Sequence, residues 1–134
     1  MHSVRDMEAN AARYAASSPE EKAKADRELL DHRRSLIVGE IAAERQRQIE
    51  REGYDPSHDD RYTWGALAYA GASYAMSGGG SDAYRERYGD DDPPATWPWL
   101  PRFWHPKDRR SDLIRAAALI LAEIERLDRA GGPQ

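Results

Sequence analysis

Between Asp112 and Arg129 the apolar side chains return at intervals of four and three: Leu113, Ala117, Ile120, Ile124 and Leu127, with Ile114, Ala118 and Leu121 widening the stripe. That period belongs to a helix and predicts one buried face along it, so this segment is expected to be the core helix. Asp108 or Ser111 can cap its start, Arg126 and Arg129 suit its end, and Gly131-Gly132-Pro133 stops it. The stripe is broader than one antiparallel neighbour requires. It predicts a bundle of three or four helices, or a helical oligomer.

No stretch alternates as a strand, so the expected fold is all-α: a small helical bundle with a long aromatic and proline-rich loop ahead of the C-terminal core helix. Three regions are expected, a helical N-terminal extension over residues 1–35, a helical core domain over 36–130, and a short tail over 131–134. The extension is rich in Ala, Glu, Lys and Arg, and Asp6 can cap a short helix through about Ala16. At Ser18-Pro19-Glu20-Glu21, Ser18 can cap, Pro19 suits the first helical position and Glu21 closes a capping box. This second helix is expected to reach Glu52, with a break or kink near Gly39, and to bury Leu29, Leu30, Leu36, Ile37, Val38, Ile41 and Ile49. A turn at residues 53–60 leads into a helix over about 60–76. There Gly65, Ala68, Ala72 and Ala75 make a smooth strip for close approach of another helix, beside the bulk of Trp64, Leu67 and Tyr74. Ser77 to Ser81 reads as a flexible linker, Asp90 to Pro94 as a second helix-hostile stretch, and Ala83 to Tyr88 as a single helical turn.

A connection as long as 77–107 more often carries a lid or a binding loop than a plain link. Its second half concentrates three of the four tryptophans and the only phenylalanine ahead of a run of basic groups. Flat aromatic faces beside cations suit a ligand that is part ring and part anion, and a nucleotide has both. Trp97, Trp99 and Trp104 would stack on or enclose the base; Arg102, His105, Lys107, Arg109 and Arg110 would meet phosphate, the last two aided by a helix N-terminus. Tyr54, Tyr62 and Trp64 are the candidates for the opposing wall. The competing expectation is that the tryptophans simply close the end of the bundle as a hydrophobic lid.

Acidic residues offer a second chemistry. Glu40 and Glu44 share a helix face, and Asp59, Asp60 and Asp112 can meet them in the fold to hold Mg²⁺ through hard oxygen ligands. His58 and Asp59 can act as base and orienter, although a turn role for His58 is the simpler expectation. No glycine-rich phosphate loop, nucleophile elbow or paired-histidine zinc motif is present. With no cysteine there is neither a disulfide nor a thiolate metal site, and a net charge of −4 argues against binding duplex nucleic acid. No apolar run approaches the roughly 20 residues of a membrane span, and no signal pattern opens the chain, so a cytoplasmic location is expected.

Ile41 to Glu50, Glu52-Gly53-Tyr54, His58-Asp59-Asp60, Trp97-Pro98-Trp99 and the run Asp112 to Arg129 together resemble a family of small uncharacterised proteins of temperate bacteriophages and prophages. More distantly, the two long helices are similar to those of MazG-like all-α nucleotide pyrophosphohydrolases. The second resemblance implies Mg²⁺-dependent hydrolysis of a nucleoside triphosphate using Glu40, Glu44, Asp112 and one of Asp59 or Asp60. The chain departs from that family's Glu-Glu-x-x-Glu helix, with Glu40 and Glu44 at a different interval. The leading expectation is therefore a non-catalytic, cofactor-free protein that binds a nucleotide-type small molecule. It would act as a phage anti-defence sponge in the host cytoplasm, sequestering a cyclic nucleotide or an ADP-ribose derivative. A homo-oligomer is expected, and the alternatives are the Mg²⁺-dependent enzyme and an adaptor that docks on a host protein.

Overall fold

A computed structural model describes residues 3–131; His2 and the Gly132-Pro133 stop signal lie outside the described residues. Those residues are all-α, with six α-helices, one short 3-10 turn and no strand. The chain divides into two compact units, Met1–Val38 and Gly39–Gln134.

The first unit contains α1 (Val4–Ala16) and the first half of α2 (Pro19–Glu52). Ser3, not Asp6, caps α1. Its hydroxyl accepts from the Asp6 N–H while the Asp6 carboxylate answers the Ser3 N–H, so Asp6 is the far side of the capping box. At the next boundary Ser18 accepts from the Glu21 N–H as its sequence suggests. The Tyr14 hydroxyl donates to Asp26 at 3.2 Å and ties the two helices together. Helix α2 runs through Gly39 without a break, because good helix formers on both sides outweigh a single glycine's cost of about 1 kcal/mol. Of the seven apolar residues whose burial the sequence predicts, Ile41 and Ile49 are half-buried. Leu29, Leu30, Leu36, Ile37 and Val38 are instead exposed, and the residues that α2 buries are Arg45 and Gln48.

The second unit is built on α4 (Ala66–Gly79) packed against α6 (Arg109–Gly131). Short helices α3 (Pro56–Asp59) and α5 (Asp82–Arg87) flank the pair, and the 3-10 turn spans Pro101–Phe103. Helix α4 starts later than the sequence suggests. Gly65 is its N-cap at φ 90°, a left-handed conformation that a residue with a Cβ adopts only at a cost. The close approach of α4 to α6 is not made by the Gly65-Ala68-Ala72-Ala75 strip. It is made by Gly71 and Gly78, one heptad apart: a Cβ on Gly78 would stand 2.6 Å from Leu113 Cγ and 2.9 Å from the Arg109 carbonyl oxygen. The supposed linker at 77–81 is thus the last turn of α4 and the cap of α5, where Ser81 accepts from the Tyr84 N–H.

Helix α6, capped by Asp108 through the Ser111 N–H, is also turned relative to expectation. It buries Asp112, Ala116, Ala118, Leu119, Ala122, Glu123 and Arg126, while Leu113, Ile120, Ile124 and Leu127 are left 43–51% exposed. The strongest periodic stripe in the sequence therefore lies outside. A face on which Ala116, Ala118 and Ala122 flank Leu119 meets the core, and α4, with its glycines, sits close against it. The core itself joins Leu67, Ala70 and Tyr74 of α4 and Ala116, Leu119 and Ala122 of α6 to Trp97 and Trp104 from the loop.

Candidate functional site

The long loop is held in place by three polar anchors. Asp112, fully buried, accepts from the Ser77 hydroxyl at 3.0 Å, the Arg85 guanidinium at 3.0 Å and the Lys107 N–H at 2.8 Å. Trp104, also fully buried, donates its indole N–H to the Tyr88 carbonyl, and Asp91 donates its N–H to the Trp104 carbonyl. The Ser73 and Thr96 hydroxyls join α4 to the loop at 2.9 Å. A fourth polar anchor orders the other side. Arg45, 5% exposed, donates to Glu125 and to the Tyr54 carbonyl at 2.8 and 2.7 Å, and to the fully buried Asp59 at 2.8 Å. Asp59 in turn holds His58 Nδ1 at 3.0 Å. A carboxylate at that distance favours the proton on Nδ1.

Between these anchors opens a cleft of about 830 Å³, within the usual range for small-molecule sites. Aromatic rings form most of its wall: Tyr54, Tyr62, Tyr74, Trp97, Trp99 and Phe103. Tyr54 stacks on His58 at 4.9 Å and 22°, Trp99 meets Tyr62 edge-on at 5.7 Å, and Trp97 meets Trp99 edge-on at 5.3 Å. Every one of these rings except the half-exposed Phe103 thus packs against another aromatic ring. Burial pushes the phenols of Tyr54 and Tyr74 up from their ordinary value, so both are neutral donors at neutral pH.

Charge enters the cleft from two places. Arg47 donates to both oxygens of Glu44 at 2.7 Å and to Glu52 at 2.9 Å, and the Glu44 bond in particular holds its guanidinium protonated. Arg115 lies 4.7 Å over the Tyr74 ring and gives one N–H to the His105 carbonyl. Its nearest carboxylate is Asp112 at 3.8 Å, so it retains donors for a ligand. Two further groups lack partners. Gln48 turns its amide nitrogen toward Glu44 at 3.3 Å, and the side-chain oxygen, like the Trp99 indole N–H, is buried without a hydrogen bond. An unsatisfied buried polar atom costs about 1–3 kcal/mol.

Of the residues expected at a binding site, Tyr54, Tyr62, Trp97, Trp99 and His105 line this cleft. Trp104 is the floor behind it, 4.8 Å from Tyr74 and 5.0 Å from Trp97. The remaining cations do not reach it. Arg102 stacks over Phe103 in solvent; Lys107 contributes its backbone to Asp112; Arg109 donates to the Gly78 and Gly80 carbonyls and to Asp82; Arg110 pairs with Glu40. These arginines serve as helix and loop ties, because carboxylates and unpaired carbonyls at helix ends stand nearer to them than the cleft does. Trp64 is 59% exposed beside Tyr69 and forms no wall. Sequence reasoning missed Arg47, Gln48, Glu52, Tyr74, Phe103 and Arg115. Arg115 in particular lies on the face of α6 that the wrong choice of buried stripe had turned away.

The acids proposed for Mg²⁺ do not converge. Glu40 pairs with Arg110, which holds its carboxyl below the usual range; Glu44 pairs with Arg47, Asp59 with Arg45, Asp60 with Arg129, and Asp112 with Arg85. Among the described residues no group of three or more His, Cys, Asp or Glu side chains could hold a metal ion. Each carboxylate has its own cation, so this donor set does not fit a magnesium centre. No family model, curated protein or solved structure matches the chain.

Proposed function

We propose that this protein binds, without converting it, a small ligand carrying a nucleobase-type ring, and that the aromatic cleft is the binding site. One observation carries the reading: rings from four parts of the chain, most of them packed against one another, line a cleft of about 830 Å³ that has room for a nucleoside or nucleotide, with a guanidinium at its wall. Stacking one base contributes about 1–3 kcal/mol, and a hydrogen bond to a charged partner about 1.5–3 kcal/mol. Two rings and Arg115 then supply about 3.5–9 kcal/mol before ordering costs, a range that runs from millimolar to micromolar affinity.

The balance of charge narrows the ligand. Glu44 and Glu52 against Arg47 and Arg115 leave no surplus of positive charge, which favours a nucleoside or a ligand with one anionic group over a triphosphate. Arg115 takes the anionic role first expected of Arg102, Lys107, Arg109 and Arg110. Sequestration of a nucleotide signal, as an anti-defence sponge of a phage would perform, needs affinity alone, and the resemblance to phage proteins belongs to this proposal. The Mg²⁺-dependent pyrophosphohydrolase reading has less support, since its acids are dispersed among five different arginines.

Calorimetric titration with adenosine, guanosine, their monophosphates and ATP tests the reading. The expected result is micromolar binding of a nucleoside or monophosphate, weakened at least tenfold by Trp99→Ala and by Arg115→Ala and unchanged by Arg110→Ala. Absence of heat with every probe, or loss of binding only on removing Arg110, would overturn it.

A further inference from the structure

The α6 stripe that the sequence marks most strongly is only half covered inside the described chain. Leu113, Ile120, Ile124 and Leu127 stand in a row at four-three spacing on the outer face of α6, each about half exposed. Beside them on α4 runs a row of opposite shape, exposed Ala68 and half-buried Ala72, ending at the partly exposed Met76; Ala75, at its inner edge, packs against the core. The two rows are neighbours because α4 and α6 touch along Gly71 and Gly78, and a Cβ on Gly71 would lie 3.1 Å from Ile120 Cγ1. None of these residues carries a charge.

We propose that a second copy of this chain docks on this face, forming a symmetric dimer in which α4 and α6 of both copies make a four-helix layer. The shape argument selects the occupant. A ridge of branched aliphatic side chains lies next to a shallow alanine furrow, so a twofold rotation places each copy's ridge over the other's furrow, and one surface supplies both halves of the fit. The size is also sufficient. At these exposures the face leaves on the order of 500 Å² per copy, in the upper part of the range for the largest patch on a single chain, and two copies that cover it completely bury on the order of 1,000 Å², the lower bound for a specific interface. The α2 leucines form the other exposed apolar row, but theirs is a single helix with arginines at 33 and 34 interrupting it and no furrow beside it. This inference is independent of any ligand.

Sedimentation equilibrium on the full chain tests it. The expected mass is twice 15.2 kDa at micromolar concentration. The Ile120→Glu/Ile124→Glu variant should sediment at the single-chain mass with its helical circular dichroism retained, its dissociation constant raised at least 100-fold, while Leu36→Glu should remain dimeric. Because a glutamate pair in α6 can impair folding, a second reading uses the absence of cysteine from the chain. An Ala72→Cys/Ile124→Cys variant should cross-link between copies under mild oxidation, and Leu36→Cys should not. A wild-type chain that stays at single mass up to 100 µM, or a dimer that Leu36→Glu dissociates and Ile120→Glu/Ile124→Glu does not, would overturn the proposal. So would cross-linking through position 36 in place of 72 and 124.

Discussion

Glycine to alanine at two positions in helices of this chain should change stability in opposite directions. Gly39 lies in the continuous α2, where an added Cβ would meet nothing within 4 Å. Alanine there gains the helix propensity that glycine lacks and should stabilise α2 by about 0.5–1 kcal/mol. Gly78 gains the same propensity, but its Cβ would stand 2.6 Å from Leu113 Cγ and 2.9 Å from the Arg109 carbonyl oxygen. Leu113 can rotate away. The carbonyl belongs to the first turn of α6 and can yield only if the two helices separate, and overpacking of that kind costs about 1–3 kcal/mol. After the propensity gain, Gly78→Ala should destabilise by about 1–2 kcal/mol, a fall of several degrees in melting temperature for a unit of this size. Urea unfolding followed by far-ultraviolet circular dichroism reads both. A Gly78→Ala protein as stable as the wild type would refute the α4–α6 packing described here, and a destabilised Gly39→Ala would refute the continuous α2.

Three further outcomes follow from the anchors. Arg45→Ala leaves Asp59 buried without its cation and should destabilise the second unit by about 3–5 kcal/mol in denaturant unfolding, whereas Arg47→Ala, at a half-exposed ion pair, should cost under about 1 kcal/mol. Tyr54 and Tyr74 are held neutral by burial, so spectrophotometric titration should show them ionising after the exposed tyrosines. Their folded values lie above the unfolded one, so the stability they contribute is complete below about pH 10 and is lost as the pH rises beyond it; flat stability to the alkaline limit would contradict this. Removal of the Trp104 side chain as Trp104→Ala should cost about 3–5 kcal/mol, measured as a lowered urea midpoint, because it is fully buried and its indole N–H anchors the loop.

The all-α class, the extent of α2 and the cap of α6 at Asp108 were legible because capping and periodicity act over a few residues. Which side of α6 faces inward was not. The sequence offers a bulky row at 113, 120, 124 and 127 and a row of smaller total bulk, Ala116, Leu119 and Ala122, and hydrophobicity alone favours the bulky one. The less bulky row is buried because Gly71 and Gly78 bring α4 close, a constraint set by a segment some 40 residues away. The aromatic half of the site was readable from its concentration in one loop. The charged half was not, since Arg109 and Arg110 sit in sequence beside the tryptophans but face their own carboxylates, while Arg47 and Arg115 reach the cleft from distant helices.

The most direct test of the cleft is the set of four indole N–H signals in a nitrogen-15 correlation spectrum during titration with a nucleoside. The Trp99 indole, unpartnered at the cleft wall, should move and the Trp104 indole, bound to the Tyr88 carbonyl, should stay in place. A Trp99 signal that stays fixed while ligand demonstrably binds would place the site elsewhere on the protein and contradict the account.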